Sequence, residues 1–242
     1  MVESSPKTGF SQRHPFLFGF TLILAAVVLL TGAMAAFRHY LGGSPVFPPQ
    51  QRFALVRVDG LIADPEKVNA FIAQLKRDDT VKGVIIRIDS PGGVVAPSQE
   101  IRAAVADLAQ VKPVIASMSA VAASGGYYVA CGAPVIIANP GTLTGSIGVL
   151  YQTSDMQGLM EKLGVRHDMI TSGKYKGAGS PFFPLTPKQR DQLQAMVLDI
   201  HRQFVDDVAA SRKMPREKVE ALAQGQAFTG RQAFENGLVD RL

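Results

Sequence analysis

Residues 15–37 read PFLFGFTLILAAVVLLTGAMAAF, 23 positions without a charged side chain. As a helix this run would extend for about 35 Å, enough to cross the hydrocarbon of a bilayer. It constrains everything else, because a segment that apolar must leave water. Lys7 and Arg13 precede it and Arg38 follows it. That slight excess of positive charge on the N-terminal side favours a short cytoplasmic tail and an exported C-terminal bulk. Two other readings compete. Ala33-Met34-Ala35 resembles a signal-peptide cleavage site, although the run exceeds the usual apolar core of such a peptide. A buried core helix is the third. The expected division is a tail at 1–14, a transmembrane anchor at 15–37, a linker at 38–52 and a folded domain at 53–242. The linker rests on Gly42-Gly43, Pro45 and Pro48-Pro49.

Beyond the linker, two periodicities alternate. Phe53–Asp59, Val84–Ile88, Pro113–Met118 and Pro134–Ala138 read as strands, as does Val165–Ile170 before SGKYK. Pro65–Arg77 places Val68, Phe71, Ile72 and Leu75 on one helical face, and Ser98–Leu108 also reads as helical. A short helix should follow Ser124. Thr186-Pro187-Lys188-Gln189 and Thr229-Gly230-Arg231-Gln232 have the form of capping boxes, and Gly237 would stop the second helix. The first opens a helix carrying Leu193, Met196, Val197, Ile200, Phe204 and Val208 at spacings of three and four. Alternating strands and helices predict a layered α/β domain with much parallel pairing.

Composition narrows the function. Residues 51–242 hold 22 basic and 19 acidic residues, scattered without a basic stripe, so no nucleic-acid partner is expected. Cys131 is the sole cysteine, so the chain forms no internal disulfide, and its apolar neighbours suggest a packed thiol.

The stretch SMSAVAASGGYYVACG, residues 117–132, puts Ser124 ahead of two glycines. A helix starting there would offer free N–H groups and its positive end to an oxygen. Such a serine suits acyl transfer, which also needs donors for a developing oxyanion. Gly125 N–H is one candidate. Gly93 N–H is the other, since Ser90-Pro91-Gly92-Gly93 lies between a strand and a helix. Taken alone, Ser124 also reads as a helix cap and the paired glycines as a turn. A base is harder to find. His14 and His39 flank the apolar run, His201 lies in a structural helix pattern, and His167 belongs to no motif. A lysine can serve if its surroundings keep it neutral. Lys176 precedes the uncharged run GAGSPFFP, and Lys174 competes with it.

Five ordered segments carry a resemblance: DSPGG (89–93), ASGGYY (123–128), TGSIGV (144–149), SGKYK (172–176) and TGRQAFENGLVD (229–240). Together they resemble the bacterial signal peptide peptidase A family of membrane-bound serine peptidases, over residues 53–242. The resemblance implies a Clp protease/crotonase-like α/β fold with repeated ββα units, in its short single-domain form. It implies that Ser124 attacks the scissile carbonyl, that Lys176 is the general base and that Ser146 orients the lysine. Gly93 and Gly125 would form the oxyanion hole. It further implies a homo-oligomeric ring with active sites shared between subunits, peptide substrates such as signal-peptide remnants, and no metal or organic cofactor. The location implied is the inner or cell membrane, single-pass, with the catalytic domain periplasmic or extracellular. Phe182-Phe183 and Gly177 depart from residues frequent in relatives. The competing functions are a crotonase-like acyl-CoA enzyme, a related Ser-Lys protease processing membrane proteins, and an inactive anchored scaffold.

Overall fold

The computed structural model describes residues 9–40 and 50–242. Most of the expected linker, 41–49, and residues 1–8 of the expected tail lie outside the described residues. The chain divides into two compact units, Met1–Gln51 and Arg52–Leu242.

The first unit holds α1 (Phe10–Arg13) and α2 (Pro15–Tyr40). α2 runs three residues past the uncharged stretch and none of its residues is buried. It is long and apolar enough to cross a membrane. Thr21 and Thr31 donate their hydroxyls to carbonyls three or four residues back, so neither leaves a polar group unmatched on that surface.

The second unit alternates strands and helices. In order they are β1 (Arg52–Ile62), α3 (Glu66–Arg77), β2 (Val81–Gly93), α4 (Val95–Ala109), β3 (Val114–Ala123), α5 (Gly125–Ala130), β4 (Val135–Ile137) and β5 (Leu143–Gly145). Then follow α6 (Gln157–Lys162), α7 (Pro187–Arg212), α8 (Arg216–Leu222), β6 (Ala227–Thr229) and α9 (Gly230–Glu235). One sheet runs β1-β2-β3-β5-β6, with β4 also paired to β3. Every pairing is parallel except β5 with β6. The fold is therefore mixed α/β with a mostly parallel sheet, as the alternating pattern predicts.

Burial along the strands alternates, which parallel sheets covered on both faces do not do. Val56, Val58, Val84, Ile86, Ile88, Val114, Ala116 and Met118 face the core. There they meet Ile72, Ile101, Val105 and Leu108 from α3 and α4, and Val205 and Val208 from α7. The opposite face leaves Phe53, Leu55, Ile85 and Ile115 exposed.

Two expectations change. β2 does not stop at Ile88; it continues through Ser90-Pro91-Gly92-Gly93, with Leu61 opposite Gly92 and Ile62 opposite Gly93. Val165–Ile170 is not a strand. Its β-branched residues satisfy a local preference, but a strand needs a neighbour for its backbone groups. No described strand lies beside this one, and Ile170 is fully exposed.

Candidate active site

Ser124 joins β3 to α5. Its backbone has φ 52 and ψ −120, a combination natural to glycine and sparsely open to a residue with a Cβ. Holding a serine there costs about 1–3 kcal/mol, strain that clusters at functional sites. Two backbone bonds impose it: Ser124 N–H donates to Gly145 O at 2.8 Å, and Ser124 O accepts from Tyr128 N–H at 2.9 Å. The side chain makes no capping hydrogen bond. The ordinary helix-cap reading therefore fails, and the hydroxyl is left uncommitted.

The end of β2 packs directly on this turn. Gly92 has φ 104, and a Cβ there would lie 2.7 Å from Gly125 N and 2.9 Å from Ser124 Cβ. A Cβ on Gly125 would lie 3.2 Å from Gly93 N and 2.5 Å from Ser98 Oγ. Ser90 fixes the loop from below: its hydroxyl donates to Gly60 O at 2.6 Å and accepts from Gly92 N–H at 3.1 Å. Asp89 accepts from Val121 N–H at 3.1 Å, tying β2 to β3 just before the serine. Gly93 and Gly125 thus meet at Ser124. Gly125 also opens α5, so its N–H has no acceptor within the helix.

Ser146 follows β5, directly after the Gly145 carbonyl that holds Ser124 N–H. Its own φ is 49, and its N–H donates to Gln226 O at 2.9 Å. The structure therefore brings Ser124, Gly93, Gly125 and Ser146 to neighbouring strand ends. Lys176 is different. It is exposed, on the turns that follow Ser172, with its N–H bonded to Gly173 O. It is not among the residues that line the cleft at Ser124. Lys174 stacks its ammonium over the Tyr175 ring at 5.1 Å.

That cleft opens to solvent, and its empty space, open solvent included, is about 330 Å³. Gly93, Ser124, Gly125 and Gly148 line it. Val95, Val149, Ile200, Phe204 and Tyr128 supply its apolar lining, and Ser98 and Gln99 from α4 also line it. The two histidines of this unit do not line it: His201 bonds Ala223 O at 2.8 Å, and His167 stacks on Phe182. Cys131 is buried, and burial pushes its thiol up to about 11.

Sequence reasoning missed what stands behind the apolar lining. Tyr128 donates its hydroxyl to Asp207 of α7, and Arg102 of α4 pairs with the same carboxylate at 2.9 Å. The Arg102 guanidinium also lies 5.5 Å from the Tyr128 ring centre. Burial, then the bond to Asp207, pushes the Tyr128 phenol up to about 12, so it remains a donor at neutral pH. No sequence signal joins positions 102, 128 and 207. They come from three helices, and Phe204 reads simply as core.

The chain matches the model of peptidase family S49 over residues 106–242. It is 44% identical over 195 residues to a Synechocystis protein named as a candidate protease, covering 80% of this chain and 70% of that one. It is 40% identical to the chloroplastic serine protease SPPA of Arabidopsis thaliana over 77% of this chain, and 38% identical to Protease 4 of Haemophilus influenzae over 79%. The chain spans 29% and 32% of those two longer proteins. A mostly parallel sheet with a serine strained at a strand-to-helix turn, in this company, defines a peptidase of the Clp-protease-like α/β class. The chain belongs to peptidase family S49, among the SppA proteases.

Proposed function

We propose that this chain is a serine endopeptidase anchored in a membrane by its N-terminal apolar helix. Ser124 is the nucleophile, Lys176 the general base, and Ser146 orients the lysine. Neutral Lys176 takes the Ser124 proton as the oxygen bonds to the peptide carbonyl. Gly93 and Gly125 N–H groups stabilise the oxyanion. The lysine then protonates the departing amine, and a water that gives its proton to the same, now neutral, lysine attacks the acyl carbonyl and releases Ser124. The observation that carries this reading is Ser124 itself, strained at φ 52 with an uncommitted hydroxyl beside the Gly93–Gly125 pair.

The base is supplied by a neighbouring copy of the chain, in a homo-oligomeric ring. Two observations support this. Lys176 is exposed and does not line the cleft of its own chain. The same region, 149–185, exposes Leu150, Leu159, Leu163 and Ile170, apolar side chains suited to burial against a second subunit. The substrates are apolar, unfolded peptides, remnants of signal peptides among them, and the catalytic unit lies on the exported side of an inner or cell membrane. The family resemblance and the apolar lining of the cleft support the substrate class. The boundaries that go with it are a tail at 1–14, an anchor at 15–37, a linker at 38–52 and a peptidase domain at 53–242.

The test uses three preparations of the full-length chain in detergent. Ser124→Ala and Lys176→Ala should each lose on the order of 10³-fold or more in peptide hydrolysis while keeping the wild-type circular dichroism spectrum. Co-expressed, the two inactive chains should regain hydrolysis, because one supplies the serine and the other the lysine. Wild-type turnover in either single variant would refute the dyad; a dead mixture would refute the sharing. Because the base acts as the neutral amine, hydrolysis should also rise with pH, and a flat profile from about pH 5 to 10 would argue against a lysine base.

A further inference from the structure

The first turn of α4 carries a hydroxyl that local chemistry does not explain. Ser98 is buried, 2% exposed, and lines the cleft beside Ser124. Within a helix alanine is the more favourable residue, and a serine bonded back to its own helix is mildly destabilising. Ser98 makes that back-bond: its Oγ donates to Val94 O at 2.9 Å. The carbonyl does not depend on it, because Ser98 N–H donates to the same oxygen at 3.3 Å.

The neighbours of the hydroxyl are the two oxyanion candidates. Val94 follows Gly93 directly, and Val94 N–H donates to Ile62 O at 2.7 Å. Ile62 lies opposite Gly93 in the parallel pairing of β1 and β2. In that pattern the residues flanking Gly93 take the bonds to β1, so the N–H of Gly93 itself points to the other edge, toward Ser124. Val94 is thus held through both of its backbone groups, by Ile62 and by Ser98, immediately after Gly93. The same hydroxyl packs against Gly125. A Cβ on Gly125 would fall 2.5 Å from Ser98 Oγ, so the oxygen lies in the space that side chain would take.

We propose that Ser98 is a positioning residue whose hydroxyl sets the spacing between the end of β2 and the start of α5, so that Gly93 N–H and Gly125 N–H aim at one point. This rests on the peptidase reading above and deepens it. Ser98 does not touch the reacting atoms. Two donors on different elements converge only as well as those elements are held together, and an oxyanion hole acts through donors fixed before the charge develops. Without the hydroxyl, Val94 loses one bond to its carbonyl and Gly125 loses the atom that fills the gap beside it. The loss falls on the transition state, where the carbonyl oxygen carries its charge, and spares ground-state binding.

The experiment uses the full-length chain in detergent, acyl-Ala-Ala-Leu-aminocoumarin as substrate and the aldehyde acyl-Ala-Ala-leucinal as transition-state mimic. Ser124 Oγ adds to the aldehyde carbon, the general base takes the serine proton, and the carbonyl electron pair moves to the oxygen, which becomes the oxyanion. Aldehyde affinity therefore reads the donors directly. Ser98→Ala should lower kcat about tenfold, less than the roughly 10²–10³-fold cost of removing a whole donor, with KM changed by no more than about twofold. The inhibition constant of the aldehyde should rise by the factor by which kcat/KM falls. The urea midpoint should stay at or above the wild-type value, because alanine suits the helix. The pH dependence of kcat should keep its position, because the base is not touched. Wild-type kcat in Ser98→Ala would overturn the inference alone. So would a lower kcat that comes with a lower urea midpoint, a displaced pH profile or unchanged aldehyde affinity. A wild-type chain that neither hydrolyses the peptide nor labels at Ser124 with a fluorophosphonate would overturn the peptidase reading and the inference together.

Discussion

At the scale of single residues, the site depends on positions where a side chain has been left out. Gly93 is the extreme case: a Cβ there would fall 2.1 Å from Ile62 O and 2.6 Å from Ile62 N, both backbone atoms of the neighbouring strand. Backbone cannot move aside as a flexible side chain can. Gly93→Ala should therefore push β1 and β2 apart and cost on the order of 3 kcal/mol. Urea denaturation would detect this as a lower midpoint, and an unchanged midpoint would mean that the strands tolerate the shift. The same residue type is easily seen in the sequence, where SPGG stands out. Its reading there as a turn was incomplete, because the glycines are paired strand residues that let two backbones and a serine approach one another.

At the scale of elements, local chemistry was most legible where it is self-contained. Both capping boxes form with both reciprocal bonds: Thr186 with Gln189 opens α7, and Thr229 with Gln232 opens α9. These need only four consecutive residues, so the sequence suffices. α9 is short and begins where Gly230 packs against Asn139 O, so its start is tied to the β4–β5 connection. Thr229→Ala should cost about 1 kcal/mol. In a folded unit of this size that lowers Tm by roughly 2–4 °C. Calorimetry should show it, whereas Thr229→Ser should stay near wild type. The segment 165–170 is the contrary case. Its composition favours a strand, yet strand formation is decided by a partner, and none of the described residues pairs with it.

At the scale of the whole molecule, the C-terminus closes the peptidase unit. Arg212 at the end of α7 is almost fully buried and forms a two-toothed bond to Asp240, at 2.6 and 3.0 Å. It also donates to Gly237 O, while Asp240 accepts from Ile136 N–H at 2.7 Å. Ala138 N–H donates to Arg241 O, so the last residues continue the line of β4. Asp240 is held below its ordinary pKa: burial opposes the shift, and the bonds from Arg212 and Ile136 outweigh it. A carboxyl depressed in the folded state binds protons more readily when unfolded. Its contribution is thus present above the unfolded value, near 3.8, and is lost as pH falls through the lower folded value. Denaturation midpoints should fall with acid through that window. Asp240→Asn should be less stable at pH 7 and should lose part of this acid dependence; an identical pH profile in the variant would remove the clasp from the account.

How much could be read in advance follows from the range of each interaction. An uncharged run of membrane length, the alternation of periods two and near four, the caps and the glycine-flanked serine are all written within a few neighbouring residues. They sufficed for an apolar helix, a mostly parallel α/β unit and the motif around Ser124. What only the tertiary structure decided involves partners far apart in the chain. It set the strained backbone of Ser124 through Gly145, pressed Gly93 against Gly125, joined Tyr128, Asp207 and Arg102 behind the cleft, and left Lys176 away from that cleft. Local energetics select elements; the approach of one backbone to another, and the burial of a paired charge, exist only once those elements are packed.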